Sequence, residues 1–253
     1  MEDIMPIGAP LSTPPPVRIV IHGAAGRMGA RIGALAQADR RFALVARVDR
    51  APARSIDAGP AIVSAVDVRA GADVVIDFSS DEGAAGAMSL ADRLTASLLV
   101  GTTALSPGTL ASLREFSLRR GVLVAPNTSL GVAATAWLLA RAAELLPGYD
   151  ASIVEAHHSA KKDAPSGTAL RLARAYREAG GTIRDDQVVA IRGGDVVGEH
   201  TVRLAGPGEY VELTHRATSR DVFAHGALRA AAWLRDRGPG WWTIEDALGL
   251  TGR

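Results

Sequence analysis

The chain of 253 residues contains no cysteine, which excludes disulfides, thiolate catalysis and cysteine-ligated zinc. Aromatic residues make up only 4% of the sequence, which disfavours the stacking surfaces that bind single-stranded nucleic acid. The 28 basic and 27 acidic residues nearly cancel, so no overall field favours nucleic acid or an anionic membrane. No apolar run approaches the ~18 residues that cross a bilayer. We therefore expect no nucleic-acid partner and no membrane partner.

The first sixteen residues, MEDIMPIGAPLSTPPP, carry acidic residues near their start and prolines at their end. A signal peptide would instead need a basic start followed by a long apolar core. We expect residues 1–16 to be a disordered lead-in and the protein to be cytoplasmic.

From Val17 to about residue 146, short runs rich in Val, Ile and Leu alternate with segments of helical periodicity. This alternation implies right-handed βαβ units and a parallel sheet with helices on both faces. The expected fold class is therefore α/β, with a Rossmann-type doubly wound parallel sheet. The predicted strands are Val17–His22, Phe42–Asp49, Val74–Phe78, Leu98–Gly101 and Val122–Ala125. The predicted helices are Arg27–Ala38, Glu82–Leu94, Pro107–Arg119 and about Val132–Leu146.

The pattern changes in the second half of the chain. A strand at Asp150–His158 and a helix at Thr168–Ala179 precede three segments of cleaner alternation, Gln187–Arg192, Gly198–Leu204 and Glu209–Ala217. Gly-Gly-Asp and Gly-Pro-Gly separate these segments and are hairpin signals. Residues 223–250 return to helical periodicity. We expect an inserted α+β domain with antiparallel strand pairs.

A glycine-rich turn follows the first predicted strand and precedes the first predicted helix. Glycines in a strand–turn–helix of this kind let the backbone approach a pyrophosphate, which then meets the helix N-terminus. The spacing is GxxGxxG, so the bare pattern also fits an ordinary tight turn. The turn comprises Gly23, Ala24, Ala25, Gly26, Arg27, Met28 and Gly29.

Two charged residues follow the second predicted strand and bear on the choice of nucleotide. Asp49 could accept hydrogen bonds from ribose hydroxyls, which favours NADH, whereas Arg50 could hold a 2′-phosphate, which favours NADPH. A solvated charge pair is the alternative interpretation. If the turn binds a nucleotide, we expect both cofactors to be used.

The segment Glu155–Thr168, reading EAHHSAKKDAPSGT, concentrates reactive side chains where a strand meets a helix. Strand geometry places Glu155 and His157 on one face and His158 on the other. Ser166 is a candidate N-cap, and a carboxylate at that helix start would meet free N–H groups with a lysine nearby. A serine hydrolase, a metal site and a plain capping role for these residues remain open alternatives.

Several motifs together resemble the dihydrodipicolinate reductase family over about residues 17–250. They are VRIVIHGAAGRMG, VVIDFSS, GTT, APNTSLGV, EAHHSAKKDAPSGTA, GDVVGEHT and ELTHRATSRDVFAHGALRAAAWL. The resemblance implies hydride transfer from NADH or NADPH to a cyclic imine dicarboxylate, giving tetrahydrodipicolinate. It also implies a homotetramer built by the second domain. Another Rossmann dehydrogenase of small carboxylates and a non-catalytic nucleotide sensor are the other hypotheses.

The resemblance also implies roles for individual residues. His157 would be the general acid/base and Lys161 the proton donor, while the substrate carboxylates would be held by His158, Ser166, Gly167 and Thr168. Besides the glycine turn, the cofactor groove would be lined by Asp49, Arg50, Gly101, Thr102, Thr103, Ala125, Pro126, Asn127 and Thr128. No metal is implied. The expected domains are 17–128 completed by 221–253 for the dinucleotide, and 129–220 for substrate binding and oligomerisation.

Overall fold

The computed structural model describes residues 14–50 and 59–251. In chain order the strands are β1 (Val17–His22), β2 (Phe42–Val48), β3 (Ile62–Val63), β4 (Val74–Asp77), β5 (Ser97–Val100), β6 (Gly121–Val124), β7 (Asp150–His157), β8 (Val188–Arg192), β9 (Gly198–Gly206), β10 (Glu209–Ala217) and β11 (Gly240–Trp242). The α-helices are α1 (Arg27–Ala38), α2 (Asp81–Leu94), α3 (Pro107–Phe116), α4 (Leu130–Leu145), α5 (Gly167–Glu178), α6 (Asp221–Leu234) and α7 (Ile244–Ala247). Residues 1–13, for which a disordered lead-in is expected, lie outside the described residues.

The first sheet has the order β11-β6-β5-β4-β1-β2-β3, and its strand pairs are all parallel. From β1 the sheet first grows in one direction through β2 and β3, and then in the other through β4, β5 and β6, so the order reverses between β1 and β4. This reversal is the switch point of a doubly wound sheet, where a crevice opens at the carboxyl ends of the strands. The predicted Rossmann-type fold is confirmed.

Helices cover both faces of this sheet. Ile19 and Ile21 of β1 point into a core with α1 and α6, and Val20 points into the opposite core with α2 and α3. Helix α6 buries mostly small side chains, among them Ala224, Ala227 and Ala231, which lets it lie close to the strands. The C-terminal part of the chain therefore belongs to the first sheet's core.

The helical prediction for residues 223–250 is wrong in its middle. Helix α6 ends at Leu234, and β11 then pairs in parallel with Gly121, Val122 and Leu123 of β6. Pro239 and Gly240 prevent the helix from continuing, because proline lacks an N–H and Gly240 has φ of 155°. Trp241 and Trp242 thus lie in an edge strand rather than on a helix.

The second sheet has the order β10-β9-β7-β8 and is mixed. The expected hairpin is present, with β9 and β10 joined through Gly206, Pro207 and Gly208. Strands β7 and β8 pair in parallel, because α5 crosses over between them. One face packs on α4 and α5, and the other face carries no helix of the described chain.

The parts of the chain that the structure describes include no helix with both the length and the apolar character to cross a bilayer.

The junction between the first sheet and α4 depends on a close backbone approach. The Thr128 hydroxyl donates to the Phe223 carbonyl oxygen at 2.7 Å, and Gly226, one turn further along α6, faces the carbonyl of Thr128. A Cβ atom at position 226 would stand 1.7 Å from that carbonyl oxygen. Only glycine allows α6 to dock here.

Gly226→Ala is expected to destabilise the protein by about 3 kcal/mol, because the added methyl group must displace backbone rather than a flexible side chain. Urea unfolding measures this effect. Gly33→Ala in α1 is the matched control, since its Cβ would meet only side-chain atoms, at 3.5 Å or more. It should be neutral or stabilising by up to about 1 kcal/mol. Equal effects at both positions would contradict the docking constraint.

Candidate active site

The glycine turn after β1 has the geometry that a close anion approach requires. Gly23 has φ of 79°, and a Cβ there would stand 2.6 Å from the Phe78 carbonyl oxygen. A Cβ at Gly29 would stand 2.2 Å from the Gly23 carbonyl oxygen, so the first turn of α1 packs directly against the turn. Gly26, at the N-cap of α1, supplies no side-chain cap. The first amides of α1 thus remain available to an anion.

A first cavity of about 550 Å³ lies between this turn and the end of β2. Asp49 is fixed there by two backbone amides: its carboxylate accepts the N–H of Ala25 at 2.9 Å and that of Arg50 at 2.7 Å. The cavity is lined by His22, Gly23, Ala25, Gly26, Asp49, Arg50, Phe78, Ser79, Ser80, Glu82, Gly83 and Gly86.

A second cavity of about 390 Å³ lies next to the first, and Phe78 and Ser79 line both. Gly101 is required at this wall, because a Cβ there would enter the Phe78 ring at 2.1 Å. The cavity is lined by Arg27, Met28, Phe78, Ser79, Gly101, Thr102, Thr103, Pro126, Thr128 and Phe223. The two cavities together form a groove along the carboxyl ends of the first sheet.

Four residues expected at the groove do not line it. Ala24 and Ala125 are buried in the core, and Gly29 packs inside the turn. Asn127 instead donates its Nδ2 to the Thr168 hydroxyl at 2.9 Å, and its Oδ1 accepts the N–H of Ser129. Asn127 therefore connects the end of β6 to the start of α5.

Sequence analysis missed several groove residues that follow β1 and β4 or begin α6. His22 ends β1, Phe78, Ser79 and Ser80 follow β4, and Phe223 lies in the first turn of α6. Ligands of open parallel sheets bind at the carboxyl ends of the strands, and this rule could have placed the residues that end β1 and follow β4. Phe223 carried no such signal, because α6 reaches the groove only through tertiary packing.

The floor of the groove is organised by the fully buried carboxylate of Asp77, at the end of β4. It accepts the hydroxyl of Ser79 at 2.6 Å and that of Thr102 at 2.8 Å, and Nδ1 of His22 lies 2.7 Å from it. These contacts join the ends of β1, β4 and β5 in one hydrogen-bond network.

The histidine–lysine segment is organised by a second buried carboxylate, that of Glu155. Glu155 and His157 share the inner face of β7, as predicted, and Glu155 Oε2 lies 2.5 Å from His157 Nδ1. Arg192 donates to both carboxylate oxygens, at 2.9 and 2.7 Å. Burial acts to raise the pKa of Glu155, but hydrogen bonds from Arg192, His157 and the Ser166 amide outweigh it, so the pKa lies below its usual value.

Ser166 is the N-cap of α5, as predicted, and its hydroxyl accepts the N–H of Ala169 at 3.1 Å. The same hydroxyl lies 3.0 Å from Nε2 of His200, and Ser166 is only 2% exposed. Helix α5 begins at Gly167, which is exposed, and Thr168 is half-buried. The helix start that faces outwards is thus formed by Gly167 and Thr168 rather than by the Ser166 hydroxyl.

His158 and Lys161 lie outside this buried cluster. His158 follows the last residue of β7, and its Nε2 is 3.5 Å from the guanidinium of Arg220. Lys161 Nζ lies 2.8 Å from both carboxylate oxygens of Asp163, and this hydrogen bond lowers the pKa of Asp163. Within the described residues, neither cavity of the groove is lined by His157, His158 or Lys161.

Two further histidines, which sequence analysis missed, complete the cluster. The His200 and His157 rings are 5.1 Å apart, edge to face, and His215 on β10 pairs directly with His200 on β9. Burial, reinforced by His157 and His215, lowers the pKa of His200 to about 4, so this ring is neutral at pH 7. The strict alternation of β9 and β10 could have placed both histidines on the inner face.

The geometry disfavours the hydrolase and metal alternatives. The Ser166 hydroxyl caps a helix, and His200 Nδ1 is buried without a hydrogen-bond partner, so no carboxylate orients that imidazole as a triad requires. Among the residues that the structure describes, no group of three His, Asp or Glu side chains is placed to hold a metal ion.

Comparison with known proteins shows similarity along nearly the whole chain. The family model described as "Dihydrodipicolinate reductase, N-terminus" matches residues 17–128, and that of the C-terminus matches residues 131–248. A 4-hydroxy-tetrahydrodipicolinate reductase of Anaeromyxobacter dehalogenans is 42% identical, covering 93% of this chain and 98% of the relative. One of Xanthomonas euvesicatoria is 43% identical, covering 91% and 97%.

Solved structures share the fold. A dipicolinate-bound dihydrodipicolinate reductase from Paenisporosarcina sp. TG-14 superposes with a TM-score of 0.76 at 20% identity, covering 90% of this chain and 97% of that one. An amine dehydrogenase from Mycobacterium smegmatis has a TM-score of 0.59 at 12% identity, covering 90% and 95%. Two family models that span both sheets, together with relatives above 40% identity over nine-tenths of the sequence, show that the chain belongs to the dihydrodipicolinate reductase family.

Proposed function

We propose that the chain catalyses the NADH- or NADPH-dependent reduction of 4-hydroxy-tetrahydrodipicolinate to tetrahydrodipicolinate, in diaminopimelate and lysine biosynthesis. One observation carries this proposal. This member of the family combines a groove beside the glycine turn with a separate, buried histidine cluster near the start of α5. A biosynthetic enzyme of this kind is expected in the cytoplasm.

The groove along the first sheet would hold the cofactor, with residues 17–128 and 221–253 as the dinucleotide-binding domain. The first amides of α1, those of Arg27, Met28 and Gly29, would face the pyrophosphate, and Asp49 and Arg50 stand where the adenosine ribose would lie. Thr102 and Thr103 line the second cavity, where the nicotinamide would lie. The bound cofactor supplies the hydride.

Residues 129–220 would bind the substrate and build the oligomer. The substrate is a dicarboxylate, and the exposed helix start at Gly167 and Thr168 offers N–H groups to one carboxylate. His158 and Lys161 add positive charge or hydrogen-bond donors on the same side of the segment. A relative of the same fold was solved with dipicolinate bound, a dicarboxylate of similar shape.

The reduction needs a proton as well as a hydride, because the 4-hydroxyl group leaves as water while two hydrogens are added. Lys161 would donate the proton, and His157 would act as general acid/base. Neither side chain lines the groove, so catalysis requires the second sheet to close over it. The Asn127–Thr168 hydrogen bond and the contact of Arg220 with His158 already connect the two sides.

His157→Ala and Lys161→Ala are each expected to lower kcat by about 100-fold or more, since general acid–base groups contribute on this scale. The assay follows nicotinamide absorbance with substrate freshly made by the preceding synthase. Cofactor affinity should stay within about twofold of the parent protein, because neither side chain lines the groove.

Lys162→Ala is the matched control for these variants, because Lys162 is the exposed neighbour of Lys161. It should leave turnover unchanged. Oxidation of neither NADH nor NADPH by the parent protein would reject the proposed reaction, and binding of cofactor without turnover would favour a sensor. Competition by pyridine-2,6-dicarboxylate would exclude a dehydrogenase of unrelated small carboxylates.

The parent protein is expected to use both NADH and NADPH. Arg50→Ala should raise KM for NADPH by about tenfold and KM for NADH by less than about twofold, because only NADPH carries a 2′-phosphate for the guanidinium to bind. Steady-state kinetics with each cofactor measure this. Arg40→Ala, at an exposed arginine outside both cavities, should change neither value. Parallel losses for both cofactors at position 50 would contradict the assignment.

We infer that the outer face of the second sheet builds a homotetramer. Val154, Val189 and Ile191 stand side by side on this face, 39%, 48% and 51% exposed, with no helix of the described chain over them. Ile191→Glu should shift the protein to smaller species in light scattering, because a charge would have to be desolvated at the interface. Leu118→Glu, at a residue 80% exposed near the first sheet, should not. A monomeric parent protein would reject the inference.

A further inference from the structure

We propose that the Glu155–Arg192 pair positions the reacting groups: it fixes Nδ1 of His157 as a hydrogen-bond donor, leaves Nε2 as the atom that exchanges protons, and holds the start of α5 at a set distance from that imidazole. This inference rests on the proposed function of His157. It assigns to Glu155 and Arg192 a positioning role and no contact with substrate.

The Glu155 carboxylate is saturated with N–H donors. Oε1 accepts the Ser166 amide at 3.0 Å and an Arg192 nitrogen at 2.7 Å, and Oε2 accepts the other Arg192 nitrogen at 2.9 Å. His157 Nδ1 is the fourth partner, at 2.5 Å. A carboxylate that is fully buried and surrounded by donors can only accept, so His157 must carry its proton on Nδ1.

The hydrogen bond at Nδ1 determines which nitrogen of His157 can exchange a proton. With Nδ1 committed to Glu155, a proton can enter or leave the ring only at Nε2. Gly198 on β9 keeps space beside that atom, because a Cβ at this position would stand 3.0 Å from Nε2.

The Glu155 carboxylate also connects His157 to the start of α5, where one substrate carboxylate is proposed to bind. Its hydrogen bond to the Ser166 amide holds the N-cap of α5, and Gly167 and Thr168 follow directly. Arg192 also donates to the Asp163 carbonyl at 2.7 Å, so it restrains the loop that carries Lys161. One buried ion pair therefore sets the relative positions of His157, the loop and the helix start.

Glu155 is the carboxylate that contacts the His157 ring. The charged or titratable groups near the ring are Glu155 on its own strand, Arg192 on β8, His200 on β9 and Lys161 in the following loop. His215 on β10 lies behind His200. Of these, only Glu155 brings negative charge to the ring.

Glu155→Gln is expected to lower kcat by about 10- to 100-fold while the Kd of NADH and NADPH stays within about twofold. The fixed Nδ1–H tautomer of His157 should also be lost, because the amide that replaces the carboxylate can donate a hydrogen bond as well as accept one. Arg192→Lys keeps the positive charge but loses the bidentate contact with Glu155, so it should lower kcat by less than Glu155→Gln does.

Arg141→Ala and Glu144→Gln are the matched controls, because this exposed ion pair lies on α4, outside both the buried cluster and the outer face of the second sheet. Both should retain kcat. If Glu155→Gln fails to fold, Arg192→Ala provides the test, since Arg192 is partly exposed. An unchanged kcat together with an unchanged His157 tautomer in the folded variant would overturn the proposal.

A readout without substrate separates this inference from the proposed reaction. Imidazole ¹⁵N shifts of the apoprotein should show neutral His157 as the Nδ1–H tautomer, and Arg192→Ala should give a mixture of tautomers. If the parent protein turns over no substrate but the tautomer is fixed, the proposed reaction fails and the positioning role stands. A mixture of tautomers in the parent protein would overturn the positioning role whatever the activity.

Discussion

Burial of a carboxylate is the constraint on which both halves of the candidate site depend. A buried charge costs several kcal/mol unless it is paired and hydrogen-bonded, so the chain must bring donors to it from several elements. Asp77 gathers the ends of β1, β4 and β5, and Glu155 gathers β7, β8 and the start of α5. Asp77 ends β4, and Glu155 lies two residues before the end of β7. Satisfying each carboxylate therefore also fixes the neighbouring residues of the groove or of the start of α5.

The two halves are joined by few polar contacts, and this agrees with a cleft that closes. Asn127 bonds Thr168, and Arg171 of α5 pairs with Glu245 of α7. Closer to the groove, Thr128 is fixed to α6 through Phe223 and the approach at Gly226. The loop after β6 is thus held on the first-sheet side. The two contacts named above that reach α5, Asn127–Thr168 and Arg171–Glu245, are polar and partly exposed, so they can rearrange at low cost.

Local sequence patterns predicted most strands of the first sheet, but they predicted only part of the cluster around His157. The strands β1, β4 and β5 could be predicted within one residue at each end, because buried parallel strands read as short apolar runs bounded by polar residues. The position of β11 could not, since its pairing with β6 is made by residues more than 110 positions apart. For the same reason the partners of His157 were missed: Arg192 and His200 reach it only through the strand register of the second sheet.

The charges around His157 explain why a buried cluster of three histidines can coexist with a proton-transfer role. Protonating His157 adds a positive charge beside the guanidinium of Arg192, and the Glu155 carboxylate offsets one of the two. A second protonated histidine 5.1 Å away would oppose this, but burial keeps His200 neutral with a pKa of about 4. His200 can therefore support the Ser166 cap without competing for the proton. The buried position of His200 therefore keeps a further positive charge away from His157 and Arg192.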